Sequence, residues 1–140
     1  MFVVLDTNHF REVAEATAHA ARFSQRAETE RAEVFLSIIC VQEATNGWLA
    51  LINRLAAGRD QVRSYAGFQR TITALGKFSI LAFDTDAAEF FHKLKRGHPR
   101  KGTMDLKIAA ICMAHDATLL TRNVEDFENL AGLRVENWLD

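Results

Sequence analysis

Phe2-Val3-Val4-Leu5-Asp6-Thr7-Asn8 places four apolar residues in a row, two of them β-branched, directly before an aspartate. Such a run reads as a short strand buried on both faces, as strands are in parallel sheets. Asp6 then stands at the strand's carboxyl end, followed by two residue types that favour helix starts. In open parallel α/β sheets, ligands bind outside that end of a central strand. Asp6 is therefore the expected anchor of an acidic, metal-binding site, to be joined by acids from other parts of the chain.

From Asn8 to about Ala32 there is neither Gly nor Pro, and Ala, Glu, Arg and Gln dominate, which predicts one or two helices. Val34-Phe35-Leu36-Ser37-Ile38 is a second β-type run. Val41, Ala44, Trp48, Ile52 and Leu55 then recur at helical spacing and predict a long helix ending near Gly58. Asp60 is the expected cap of a further helix running toward Gly76. A third strand is predicted at 79–83, with Asp84-Thr85-Asp86 starting a helix that carries Ala87, Phe90, Phe91 and Leu94. A basic loop containing Pro99, the only proline, ends at Gly102, and a helix from near Thr103 turns Leu106, Ala109, Ala110 and Met113 inward. Thr118 to Thr121 reads as a fourth strand, Glu125 to Ala131 as a short helix stopped by Gly132, and Leu133 to Trp138 as an edge-like fifth strand. Strands alternating with helices imply a three-layer α/β/α fold around a parallel sheet of four to five strands. With no repeat, linker or low-complexity segment, residues 1–140 are expected to form a single domain.

Composition narrows the function classes without choosing one. Hydrophobic residues make up 49% and charged residues 25%, an ordinary globular balance. The apolar runs are too short to span a bilayer, and Asp6 interrupts the first, so no membrane partner is expected and cytoplasmic residence is the default. Cys40 and Cys112 lack the spacing of a zinc site and read as buried free thiols. A net charge of −1 is compatible with RNA binding only if acid and base are segregated.

The acids fall where segregation would need them. Asp6 follows the first strand, Glu43 lies in the first turns of the helix after the second, and Asp126, just after Asn123, follows the fourth. Asp105 occupies the first turn of its own helix past Gly102. Each has a bland alternative as a cap, a first-turn charge or a turn former. Independent caps need not all fall on one rim of the sheet, however. Converging carboxylates without His or Cys suit a hard ion such as Mg²⁺ or Mn²⁺, and such ions serve phosphodiester hydrolysis.

LDTN at 5–8, a Glu early in the second strand's helix, GTMDLKIAAI at 102–111, LLTRNVEDF at 119–127 and GLRVENW at 132–138 together resemble a PIN-domain protein, within that group the VapC-type toxins of bacterial toxin–antitoxin pairs. The resemblance runs the whole length. It implies a metal-dependent endoribonuclease that cuts single-stranded or loop RNA, with Asp6, Glu43, Asp105 and Asp126 as its acids. Of these, Asp6, Asp105 and Asp126 would hold Mg²⁺ or Mn²⁺. Some relatives carry an acid directly after the Thr-Arg pair, where this chain has Asn123, so the fourth position falls to Asn123 or Asp126. Thr7, Asn8 and Thr121 match positions that support the acids by hydrogen bonds. Cys40 stands where relatives often carry a hydroxyl residue capping the second acid's helix.

The resemblance further implies a homodimer and a cognate VapB-type antitoxin that inserts a segment into a groove, for which Phe10, Phe23 and Trp48 are candidates. The run Lys93, Lys95, Arg96, His98, Arg100, Lys101 leads straight to Asp105 and is a candidate RNA-phosphate rim, centred on Lys95, Arg96, Arg100 and Lys101. The competing reading is a non-catalytic PIN-like regulatory module that binds antitoxin or RNA without turnover. A phospho-acceptor receiver domain would need a late Lys, and none follows Lys107. A haloacid-dehalogenase-type phosphatase would need Asp where Asn8 stands.

Overall fold

The computed structural model describes residues 1–140. Five strands form one sheet: β1 (Phe2–Leu5), β2 (Glu33–Ser37), β3 (Ser79–Leu81), β4 (Thr118–Leu120) and β5 (Arg134–Glu136). The order is β3-β2-β1-β4-β5 and every pairing is parallel. The expected central strand is therefore central, with Val4 opposite Phe35 on one side and Leu119 on the other. Connections run outward from β1 in one direction through β2 and β3, then return to its other side for β4 and β5. That reversal opens a crevice at the carboxyl ends of β1 and β4, where doubly wound sheets bind ligands.

Seven helices cover the sheet: α1 (Thr7–Ala14), α2 (Ala18–Thr29), α3 (Ile38–Asn53), α4 (Val62–Leu75), α5 (Thr85–Gly97), α6 (Thr103–Ala114) and α7 (Val124–Phe127). The alternation of strand side chains sorts two cores. Val4 and Leu119 pack with Ala87, Leu94, Leu106 and Ile111 on the α5–α6 face. Val3, Leu5, Leu36 and Leu120 pack on the opposite face with Phe10, Phe23, Leu75 and Trp138. This is the expected α/β/α layering.

Several local expectations give way to tertiary contacts. The helix expected to end near Gly58 stops at Asn53, because the Gln61 side chain reaches back to the Ile52 carbonyl at 3.0 Å. Gly58 instead takes φ +101° in the turn beyond, a conformation open to glycine. Asp60 caps nothing; it sits inside a 3-10 turn, Arg59–Gln61, that leads into α4. The helix expected over 125–131 closes after Phe127, since Phe127 and Leu130 both enter the core and Gly132, at φ +88°, turns the chain into β5. No helix is long and apolar enough to cross a membrane.

Candidate metal centre

Asp6 leaves the carboxyl end of β1 and acts as N-cap of α1, its Oδ1 accepting the His9 backbone N–H at 2.8 Å. The capping role and a site role do not exclude each other, because a carboxylate has a second oxygen. No buried side-chain nitrogen or oxygen lacks a hydrogen-bond partner. Oδ2 of Asp6 accepts no protein hydrogen bond, so it is the oxygen that reaches solvent. The side chain as a whole is only 12% exposed.

Glu43 projects from the second turn of α3, and its Oε1 accepts the Thr7 hydroxyl at 2.8 Å. That bond ties the second acid to the residue beside the first. The start of α3 is capped by Ser37, fully buried, whose Oγ accepts the Cys40 N–H at 3.2 Å. The hydroxyl expected at position 40 is thus supplied three residues earlier, and the Cys40 thiol is left in the core. Burial pushes that thiol up to about 12, with Glu43 and Asp6 adding in the same direction.

Asp105 lies in the first turn of α6 and Asp126 at the end of the turn that begins α7. Thr121, fully buried, accepts the Asn123 N–H on its Oγ1 at 3.0 Å and shapes the exit from β4. Asp105 and Asp126 border one small cavity of about 190 Å³ together with Lys101 and Gly102. Neither carboxyl enters an ion pair. The Asp105 carboxyl is pushed above the usual range by partial burial, then by the charges of Asp126 and Asp6, against the opposing pull of Lys101. Acids from two other segments thus act on the one carboxyl of Asp105. Asn8 and Asn123 are exposed and bring no side-chain hydrogen bond to any acid.

The donor chemistry of Asp6, Asp105 and Asp126 suits a hard divalent cation, since all three offer carboxylate oxygens and neither Asp105 nor Asp126 is in an ion pair. They do not form a closed cage. No three His, Cys, Asp or Glu side chains stand close enough together to hold an ion.

The basic run divides in two. Lys95 donates to the Lys101 carbonyl at 3.2 Å, and Lys101 donates to the Asp126 carbonyl at 2.7 Å, lacing the loop to α7. Arg96 and Arg100 are exposed and carry no ion pair. A larger cleft of about 630 Å³ opens between α1, α3 and α4, from Thr7 and Glu43 past Phe10, Trp48 and Leu51, with Arg11 and Arg70 on its walls. Phe23, expected to line such a groove, instead packs in the core with its ring centroid 6.2 Å from that of Trp138. Sequence reading passed over Arg11, Arg70 and the wholly buried His9. For His9 a signal existed: it is the third residue of a helix capped by Asp6, where side chains reach back to the cap.

A family model for the PIN domain matches residues 3–133. The chain belongs to the PIN-domain family. Its PIN fold superposes on that of VapBC2 from Rickettsia felis bound to a promoter DNA fragment, with a TM-score of 0.75 at 20% identity over 99% of both chains. It matches VapBC-1 of nontypeable Haemophilus influenzae equally, at 0.75 and 18% identity over the full length of both. Among characterised sequences it is similar to Ribonuclease VapC2 of Rickettsia felis, 31% identical over 68 residues. That alignment covers 46% of this PIN chain and 51% of the relative, so the chain matches about half the relative's length. The likeness to VapC-type chains read from the motifs thus holds for this PIN domain.

Proposed function

We propose that residues 1–140 form one PIN domain acting as a divalent-cation-dependent endoribonuclease toxin of the VapC type. The observation that carries this reading is the placement of the acids: Asp6 at the carboxyl end of the central strand β1, and Asp105 and Asp126 bordering one cavity. Asp6 through Oδ2, Asp105 and Asp126 would hold Mg²⁺ or Mn²⁺. When bound, the cation supplies charge neutralisation at the scissile phosphate and makes water a better nucleophile. Thr7, the residue next to Asp6, holds Glu43 by its hydroxyl, and from there Glu43 would orient the attacking water. Lys101 lies close enough to Asp105 to offset part of the carboxylate repulsion. Arg96 and Arg100 would meet the RNA backbone, since their guanidinium groups are uncommitted.

The same reading takes a VapB-type antitoxin as partner. The cleft of about 630 Å³ is apolar along Phe10, Trp48 and Leu51 and runs up to Glu43, which suits an inserted peptide segment. A homodimer is supported by exposed apolar residues on α3 and α4, among them Leu49, Val62, Tyr65 and Ile72.

Sequencing RNA 5′ ends after brief induction, wild type beside Asp6→Asn, tests the activity. New ends that appear only with the wild type, and purified protein that cleaves RNA with Mg²⁺ but not with EDTA, are the expected results. The second reading, a regulatory module without turnover, draws on the absence of three closely grouped ligands. Tight antitoxin or RNA binding without any metal-dependent cleavage would select it.

A further inference from the structure

We propose that His9 is the positioning residue of Asp6, its ring locked in one tautomer by the backbone of Trp138 and holding the carboxylate through Oδ1 so that Oδ2 stays free of protein partners. The inference rests on the metal-binding reading above. His9 is fully buried, and a buried imidazole needs partners on both nitrogens. Nε2 accepts the Trp138 backbone N–H at 3.3 Å, while Nδ1 lies 3.3 Å from Asp6 Oδ1. A backbone amide can only donate, so Nε2 must present its lone pair and the ring proton must sit on Nδ1, aimed at Asp6. Oδ1 then receives two donors from one residue, the His9 backbone N–H and its ring N–H.

The backbone N–H alone satisfies the cap and would do so with any residue but proline at position 9. The imidazole is therefore an addition to the cap, and its effect is to remove the rotational freedom of the Asp6 carboxylate. The far end of the arrangement is equally fixed. Trp138 and Leu139 are buried, and the segment is clasped by His19 on the Leu139 carbonyl and Arg122 on Asp140. Docking of residues 137–140 thus reaches Asp6 through one ring. With both nitrogens engaged and no exposure, His9 has no route to substrate and is not a catalytic residue.

The test uses two measurements. Long-range ¹H–¹⁵N NMR of the ¹⁵N-histidine-labelled protein, with the His9 signal assigned by its loss in His9→Gln, should give the neutral Nδ1–H pattern; an Nε2–H pattern overturns the proposal. Mn²⁺ titration followed by EPR should show His9→Leu weakened by roughly 10–100-fold, the range for lost ligand-orienting partners. His9→Gln, whose amide offers an NH2 donor group and a carbonyl acceptor, should stay within a few-fold of wild type. A folded His9→Leu that binds Mn²⁺ like wild type overturns the proposal, as does a His9→Gln with no measurable uptake. If His9→Leu does not fold, the tautomer and the His9→Gln titration decide. A wild type that takes up no Mn²⁺ would sink the metal reading itself; wild-type uptake with an indifferent His9→Leu sinks only the role of His9.

Discussion

Replacing Gly67 by Ala should destabilise the protein although it improves helix propensity, and the two effects can be weighed from the packing of α4 on α3. Gly67 lies inside α4, where Gly→Ala would ordinarily gain about 1 kcal/mol. A Cβ at this position would stand 2.2 Å from Cη2 and 2.7 Å from Cζ3 of Trp48. Ordinary van der Waals contact begins near 3.4 Å, so the indole has to withdraw by more than about 1 Å. Withdrawal pulls Nε1 off the Thr71 hydroxyl, now 2.8 Å away, at a loss of about 1 kcal/mol. Repacking the displaced ring costs roughly 1–3 kcal/mol more. The net expectation is a loss of about 1–3 kcal/mol, or roughly 3–10 °C in Tm.

Gly47, inside α3 with nothing within 4 Å of its ideal Cβ, is the matched control, and Gly47→Ala should be stabilising by up to about 1 kcal/mol. Urea melts of both variants, and of Gly67→Ala combined with Trp48→Ala, give the answer. In the Trp48→Ala background the penalty should vanish and the propensity gain appear. Gly67→Ala as stabilising as Gly47→Ala would refute the packing of Trp48 over α4, and with it the shape assigned to the cleft.

Asp105→Asn should abolish RNA cleavage while raising cation-free stability at neutral pH. A folded-state carboxyl pushed upward favours folding only while protonated, so the advantage of Asn should shrink as pH falls through the carboxylate range, which melts at several pH values will report. Exposure of Asp105 to solvent keeps that gain small. Ser37→Ala removes the cap of α3 and leaves the Cys40 N–H unpaired in the core, for an expected loss of about 1–2 kcal/mol by urea denaturation. Neutralising Arg96 and Arg100 together should reduce the slope of log RNA affinity against log salt by about 1.4, the share of two phosphate contacts to a single strand. An unchanged slope would move the RNA elsewhere.

Much of this fold is legible along the chain because its strongest signals are local. Val3–Leu5 is apolar without interruption because β1 is paired on both edges and these residues are fully buried, and no neighbour was needed to see it. Asp84 predicted the start of α5 because an aspartate caps through its own neighbour, here the Ala87 N–H at 2.9 Å. Failures came where distant parts intervene. The end of α3 depends on Gln61 reaching back to Ile52, and Phe23 is claimed by Trp138, which lies at the other end of the chain. The functional centre divides in the same way. Types and spacing of Asp6, Glu43, Asp105 and Asp126 mark them as candidates, since chemistry chooses residue types and their place beside strand ends.

Which oxygen of Asp6 is free, and which lysine is already spent on a carbonyl, are written nowhere in the order of residues. Those facts follow from hydrogen bonds such as Trp138 to His9, between positions 129 residues apart. Sequence carries periodicity and residue chemistry, which act over one or two turns of chain. Direction, partnership and crowding belong to groups that meet only when the sheet has closed β1 between β2 and β4, because electrostatic and hydrogen-bond energies depend on separation in space and are indifferent to separation along the chain.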